Sequence, residues 1–313
     1  MEVRDSRRLT GPNILTDGPG AVLDIAFEAE DDAADSAAAI DAWRRWLRRI
    51  LTAVGWEDAR DFDRTFPGGA SLAFRAPIDA LYAATEVNEW AWEAAGIELD
   101  GAATPDLDEA VERLRRTIAD EVSPKLLALR DAAREHDVAF LSDDDHTSVG
   151  LGAGSRTWPV DGLPDPEQVP WDEIYDIKVG LVTGTNGKTT TVRLLGAIIR
   201  AAGAVPGLSS TDWIAAGDDI LDRGDYSGPG GARRVLRDPR VECAILETAR
   251  GGMLRRGLAV DASDVALITN VAEDHLGEFG IHDLDALAAC KFIVAKGARR
   301  LVLNADDPVA RRL

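Results

Sequence analysis

The residues best equipped for chemistry gather in one short stretch, GLVTGTNGKTTTVRL at positions 180–194. An apolar run leads into two glycines that bracket a turn, followed by one lysine, three threonines and a helix-like pattern. The general phosphate loop, G-x-x-x-x-G-K-[ST], places a glycine five residues before the one that precedes lysine. Val182 stands there instead, which leaves a shorter loop, Gly184-Thr185-Asn186-Gly187-Lys188-Thr189, followed by Thr190. The shortening keeps the physics. Two glycines let backbone N–H groups approach an anion, and the helix opening near Lys188 points its positive end at the same place. Lys188 is expected to neutralise phosphate charge and the Thr189 hydroxyl to ligate magnesium.

Three other polar groups close apolar runs. Glu247 ends AILE, Asn270 ends ALITN ahead of EDHLGE with His275, and Asn304 ends LVLN ahead of Ala305-Asp306-Asp307-Pro308. Each alone reads as a surface acid, a cap or a turn. Together, at the ends of strands in one open parallel sheet, they would converge on the loop.

The elements that must hold them fall into two regions. Residues 1–160 read as a smaller α+β domain, and 161–172, DGLPDPEQVPWD, as a linker rich in proline and acid. In residues 173–313 strand-like runs alternate with helix signals, which predicts an α/β fold with a mostly parallel sheet and covering helices. In the first region, AVLDIAFEAE alternates Leu23, Ile25, Phe27 and Ala29 against Asp24, Glu28 and Glu30, the pattern of a half-buried strand. Ile40, Trp43, Leu47, Leu51 and Val54 make one apolar helix face, and further helices are expected over about 78–96 and 107–135. Gly150, Gly152 and Gly154 suggest a hairpin turn rather than a dinucleotide loop, because no helix pattern follows them. Trp43, Trp46, Trp90 and Trp92 read as packing residues, with Trp43 in the core and the others between domains, and 143–145 as a solvated acidic loop.

Composition bounds the rest. A formal net charge of −20 argues against a nonspecific nucleic-acid binder. No apolar run reaches the roughly 18–20 residues of a membrane span, and MEVRDSRRLTG lacks the apolar segment of a secretory signal, so a cytoplasmic protein with no membrane partner is expected. Cys243 and Cys290 are too few for a disulfide framework and read as buried free thiols.

The stretch 178–308 resembles the central ATPase domain of the Mur ligase family. The carrying motifs are TGTNGKTTT, GDYSGPGGARRVLRDPRVECAILETARGGMLRRGL, TNVAEDHLGEFGI and NADDP, most similar to the cyanophycin synthetase branch, and RRLTGPN is similar to the start of that branch's N-terminal domain. The resemblance implies ATP- and magnesium-dependent amide-bond formation through an acyl phosphate, from a small-molecule or peptide-like carboxylate and an amine or amino acid. It also implies residue roles. Lys188 would bind phosphates; Thr189 and Glu247 would hold one magnesium and His275 a second. Lys291, in AACKFIVAK, would support that metal as a carbamate; Asn304 would contact adenine, and Arg250 would meet a substrate anion. The ATP-grasp domain of the cyanophycin synthetase branch has no counterpart between the two regions, and the central domain is expected to be incomplete at its C-terminal end. Two other readings stay open: a nucleotide-binding or regulatory module, and a simple ATPase or kinase. A homo-oligomer is compatible with all three.

Overall fold

The structure is a computed structural model of the chain and describes residues 1–28, 33–101, 105–274 and 276–312. Two compact units emerge. One comprises Met1–Thr10, Leu15–Ser123 and Gly277–His282; the other comprises Gly11–Ile14, Pro124–Leu276 and Asp283–Leu313.

In the first unit, β1 (Glu2–Leu9), β2 (Gly20–Ala26), β3 (Asp61–Phe66) and β4 (Gly69–Arg75) form an antiparallel sheet in the order β1-β2-β4-β3. Helices α1 (Ala33–Val54), α2 (Leu81–Leu99) and α3 (Leu107–Glu121) complete it. The stripe expected on α1 is the core: Trp43, Leu47, Ile50 and Leu51 pack with Leu23, Leu72 and Phe74 of the sheet and Val87 of α2. Trp43 Nε1 donates to Asn88 Oδ1 at 2.9 Å, and Asn88 Nδ2 donates to the Leu72 carbonyl at 2.9 Å, so α1, α2 and β4 are joined by one buried polar chain. Trp46 and Trp90 meet edge to face at 5.8 Å inside this unit, not between domains.

Two expectations in this region need correcting. β2 is buried on both faces rather than one: Leu23 and Ile25 lie in the core with α1 and α2, while Val22 packs in a second cluster with Leu9, Ala73 and Leu15, and Asp24 is only 7% exposed and takes a 2.6 Å ion pair from Arg7 of β1. Ala29 and Glu30, the end of that expected alternation, lie outside the described residues. The helix expected over 107–135 is two helices, α3 and α4 (Pro124–Glu135). Pro124 has no N–H to donate and biases Ser123 away from helical backbone, so α3 ends at an extended Val122 and a new helix starts with proline in its first turn.

The second unit begins with α4 and a small antiparallel sheet of β5 (Phe140–Ser142), β6 (His146–Val149) and β7 (Arg156–Pro159). β6 and β7 pair antiparallel across the glycine-rich turn, as the sequence suggests. The expected domain boundary near residue 160 therefore differs from the observed one at 123/124, and 161–172 lies inside a unit rather than between two. Its composition is that of a linker, yet Leu163 and Val169 are buried, and Trp171 stacks on His136 at 4.4 Å while its Nε1 donates to the Pro166 carbonyl at 2.9 Å. Asp143 is no merely solvated acid. It pairs with Arg237 and accepts the N–H groups of Asp145 and His146; burial pushes its carboxyl up, but these partners hold it below the usual range.

The main sheet carries the chemistry. Its strands are β8 (Lys178–Thr183), β9 (Pro206–Ser209), β10 (Trp213–Ala216), β11 (Asp219–Arg223), β12 (Cys243–Glu247), β13 (Val265–Ile268) and β14 (Leu301–Leu303), in the order β11-β10-β9-β12-β8-β13-β14. The five from β9 to β14 in that order run parallel, and β10 and β11 extend the sheet antiparallel. The helices are α5 (Lys188–Ala201), α6 (Pro229–Leu236), α7 (Arg250–Arg255) and α8 (Leu284–Lys291). Val192, Leu195 and Ile199 of α5, spaced along one face, pack on Val182, Leu208 and Ile245 of three strands. The chain leaves β8 for β9 on one side and later returns as β13 on the other. That reversal opens a crevice at the carboxyl ends of β8, β12 and β13, where ligands of open α/β sheets bind. No described helix is long and apolar enough to cross a membrane.

Candidate functional site

Four residues connect β8 to α5. Gly184 has φ +144 and Gly187 φ +82, conformations that side chains disfavour, and a Cβ built on Gly184 would lie 1.9 Å from Thr269 Oγ1. Val182, where the longer loop would have its first glycine, sits inside β8, opposite Glu247 on one side and Leu267 on the other. The position is strand in this fold, so no glycine is needed there.

Residues after β13 clamp the loop. Asn270 Oδ1 accepts the Asn186 N–H at 3.0 Å and Asn270 Nδ2 donates to the Asn186 carbonyl at 3.0 Å, while Thr269 Oγ1 donates to the same carbonyl at 2.6 Å. The Thr185 N–H donates to the Asn270 carbonyl at 2.9 Å, and its hydroxyl exchanges bonds with Ala272 at 3.0 Å. These bonds use the N–H groups of Thr185 and Asn186. Those of Gly187, Lys188, Thr189 and Thr190 have no acceptor among the described residues. They are the unsatisfied donors of a helix N-terminus, aimed where an anion would sit. Lys188 Nζ donates to the Thr185 carbonyl at 3.0 Å, folded back over the loop.

Gly184→Ala is expected to destabilise the unit by about 2–4 kcal/mol, because the methyl group forces either Thr269 or the loop to move from an already strained conformation. Chemical denaturation checks the magnitude. A parallel nucleotide titration should show weakened binding even in whatever fraction remains folded.

Thr189, on the first turn of α5, points across to β12. Its Oγ1 donates to Glu247 Oε2 at 2.8 Å and lies 3.2 Å from Thr211 Oγ1 in the turn after β9. Glu247, at the end of an interior strand of the sheet, is 1% exposed, and its Oε1 has no hydrogen-bond partner among the described residues. Burial pushes its carboxyl up; the Thr189 hydroxyl, the Lys188 charge and the Thr211 N–H pull it partly back. A buried carboxylate oxygen with nothing to bind is costly unless a cation meets it. Two hydroxyls and a carboxylate beside a phosphate cradle form an all-oxygen donor set that suits magnesium.

Lys291, at the end of α8, is 3% exposed. Burial, then the neighbouring Lys188 charge, push its amine down to about 8; Arg250 acts in the same direction and Asp274 against it. Lys188, Arg250 and Lys291 therefore share one electrostatic neighbourhood, as expected of residues at converging strand ends. Arg250 opens α7 just past β12. Asn304 follows β14 on the same rim, where its Oδ1 accepts the Asp306 N–H at 3.0 Å and shapes the turn. His275 lies outside the described residues. Of the remaining sequence-derived set, the structure brings Thr189 directly onto Glu247 and places Lys188, Arg250 and Lys291 within reach of one another's charge; Thr190 is exposed on the first turn of α5.

Two participants carry no local signal, Thr211 and Thr269, since their partners lie 22 and 83 residues away. Asn270, marked in the sequence by its place at a strand end, is the residue that clamps the loop. Asp307 has a structural part. Its carboxylate accepts the N–H groups of Val271 at 2.6 Å, Val309 at 2.8 Å and Ala310 at 3.0 Å, tying the turn after β14 to the segment that clamps the loop.

Residues 182–313 match the Mur ligase middle domain. Among curated proteins, the chain is 49% identical over 140 residues to the cyanophycin synthetase of Geminocystis herdmanii, covering 44% of this chain and 16% of that protein. It is 49% identical over 161 residues to the cyanophycin synthetase of Synechocystis sp., covering 48% and 18%. The chain thus spans under a fifth of the length of these relatives. Among solved structures, UDP-N-acetylmuramoyl-L-alanyl-D-glutamate--2,6-diaminopimelate ligase matches with a TM-score of 0.33 and 21% identity, covering 44% of this chain and 28% of that one.

Proposed function

We propose that the second unit is the nucleotide-binding core of an ATP- and magnesium-dependent ligase that joins an acid to an amino acid or other amine. The observation that carries this reading is the contact between Thr189 and Glu247, with the unpartnered Glu247 Oε1 buried beside a helix N-terminus whose first N–H groups are unused. The 49% identity to cyanophycin synthetases over the matched region supports a ligase over a kinase built on a similar loop.

In this reading the loop N–H groups and Lys188 hold the phosphates of ATP. Thr189 and Glu247, with Thr211 alongside, would hold a magnesium ion, which when bound supplies charge neutralisation to the phosphates. A substrate carboxylate attacks the γ-phosphorus, the bond to the β-phosphate oxygen breaks, and ADP leaves. An amine then attacks the acyl phosphate carbonyl, giving an amide and inorganic phosphate. The protein contributes mainly position and fixed charge. Arg250 would face a substrate anion, Asn304 would contact adenine, and Lys291, as a carbamate, would support a second metal with His275. An amine held near 8 has a larger neutral fraction at physiological pH than an ordinary lysine, and the neutral form is the one that reacts with carbon dioxide.

The test is ADP release in a matrix of acids and amino acids. At least one pair should raise release by about tenfold over either component alone. Saturable ATP binding with no amine-dependent release from any pair would support a nucleotide-binding module instead.

Lys291→Met offers a separate check. The folded state holds this amine below its ordinary value, so it resists protonation that the unfolded chain accepts. The burden is present in full below about 8 and is relieved as pH rises from there towards the ordinary value of 10.5. At pH 7 the Met variant should therefore be more stable by on the order of 1–3 kcal/mol, with the gap closing by about pH 10. Paired thermal melts across that range read it, and ligase turnover should be lost throughout.

A further inference from the structure

The phosphate loop is held by residues 269–272, and that segment is held in turn by Asp307. Asp307 is 6% exposed, and its two carboxylate oxygens are divided. Oδ1 accepts the N–H groups of Val309 and Ala310 within its own turn, while Oδ2 accepts the Val271 N–H at 2.6 Å from the segment after β13. Among the described residues it has no ion pair. Burial pushes its carboxyl up, but the N–H groups of Ala310, Val271 and Val309 outweigh that and hold it below the usual range. A turn of this kind needs one capping oxygen, which serine or asparagine supplies without burying a charge. The bond from Val271 is therefore the part of the arrangement that the turn itself does not require.

Asp307 stands between two parts of the crevice. Ile268 of β13 and Leu303 of β14 are neighbours in register, so the segments that follow them start side by side. On one side the Asp307 N–H donates to the Asn304 carbonyl at 3.1 Å, in the turn whose asparagine is assigned to adenine. On the other, Val271 lies between Asn270, bonded to Asn186, and Ala272, bonded to Thr185. Taking the nucleotide site of the proposed function as given, we propose that Asp307 is a positioning residue that couples the base end of that site to its phosphate loop. A base held at the Asn304 turn fixes Asp307. Asp307 in turn fixes Val271 and the clamp on Thr185 and Asn186, which leaves less ordering for the phosphates to impose. The coupling is reciprocal: phosphates on the loop favour the base to the same degree.

The test splits ATP into its two halves. Magnesium tripolyphosphate is titrated into the full chain with and without saturating adenosine, and the parent should bind it at least about fivefold tighter when adenosine is present. In Asp307→Asn the amide oxygen can still serve Val309 and Ala310, but the amide nitrogen then faces the Val271 N–H, donor against donor. Asp307→Ser keeps a capping oxygen for the turn and has no second oxygen for Val271. In each variant, measured well below its melting midpoint, the gain from adenosine should fall under about twofold. The parent alone supplies another readout: hydrogen exchange at the Val271 amide should slow at least about fivefold on adding adenosine. A lowered melting midpoint with the gain from adenosine intact would make Asp307 a structural cap and overturn the proposal, as would Val271 exchange indifferent to adenosine. A parent that binds an ATP analogue but shows no gain from adenosine overturns the coupling and leaves the nucleotide site standing; one that binds no ATP analogue overturns both.

Discussion

Lys188→Ala is expected to weaken ATP binding by about ten- to a hundredfold, with little change in the stability of the fold. The ammonium makes a single hydrogen bond in the structure, to the Thr185 carbonyl of its own loop, and is partly exposed. Its removal therefore leaves no buried group stranded. What is lost is a charged donor to a phosphate, worth about 1.5–3 kcal/mol. Equilibrium titration of a fluorescent ATP analogue reads the affinity, and a thermal melt reads the fold. An unchanged affinity would mean that the nucleotide does not sit on this loop at all.

Glu247→Gln should separate the cost of the site from its use. The carboxylate is buried at the end of β12, one oxygen held by Thr189 and the other by nothing, and burial pushes its carboxyl up. For an acid the sign is adverse. A raised folded value means stability is lost as pH rises from the ordinary carboxylate range towards that value, so the ligand-free protein bears a cost wherever the carboxyl is ionised. The neutral amide has the same shape and a smaller desolvation penalty. The variant should be more stable than the parent without ligand by about 1–2 kcal/mol. The parent should gain stability from magnesium with ATP, and the variant should gain little. Melting both proteins with and without magnesium and ATP gives the four values needed. A variant less stable than the parent without ligand would identify Glu247 as a structural acid.

The loop and the sheet around it were legible in the sequence because they depend on local patterns. A strand, two glycines at positions that need unusual backbone angles, a lysine and a helix follow one another within 15 residues, 180–194, and each signals its neighbour. The apparent defect at Val182 is explained by its place in β8 between Glu247 and Leu267. What stayed hidden depends on contacts between distant residues. The clamp of Asn270 on Asn186 spans 84 residues, and the Thr211 contact with Thr189 spans 22 across a strand. Neither leaves a local pattern. Composition also misled at 161–172: proline and acid suggest a linker, but burial of Leu163 and Val169 and the stacking of Trp171 on His136 fix the segment inside a unit. At Pro124 the opposite happened, because apolar spacing continued through a residue whose covalent structure ends a helix.

In the proposed function the loop and Glu247 form one site for a magnesium-bound nucleotide. Calorimetric titration of a non-hydrolysable ATP analogue, with magnesium and then with chelator, tests this most directly. One site per chain and at least about tenfold tighter binding with magnesium are expected, the worth of one well-placed charge interaction. Binding of equal strength in both conditions, or no saturable binding in either, would contradict it.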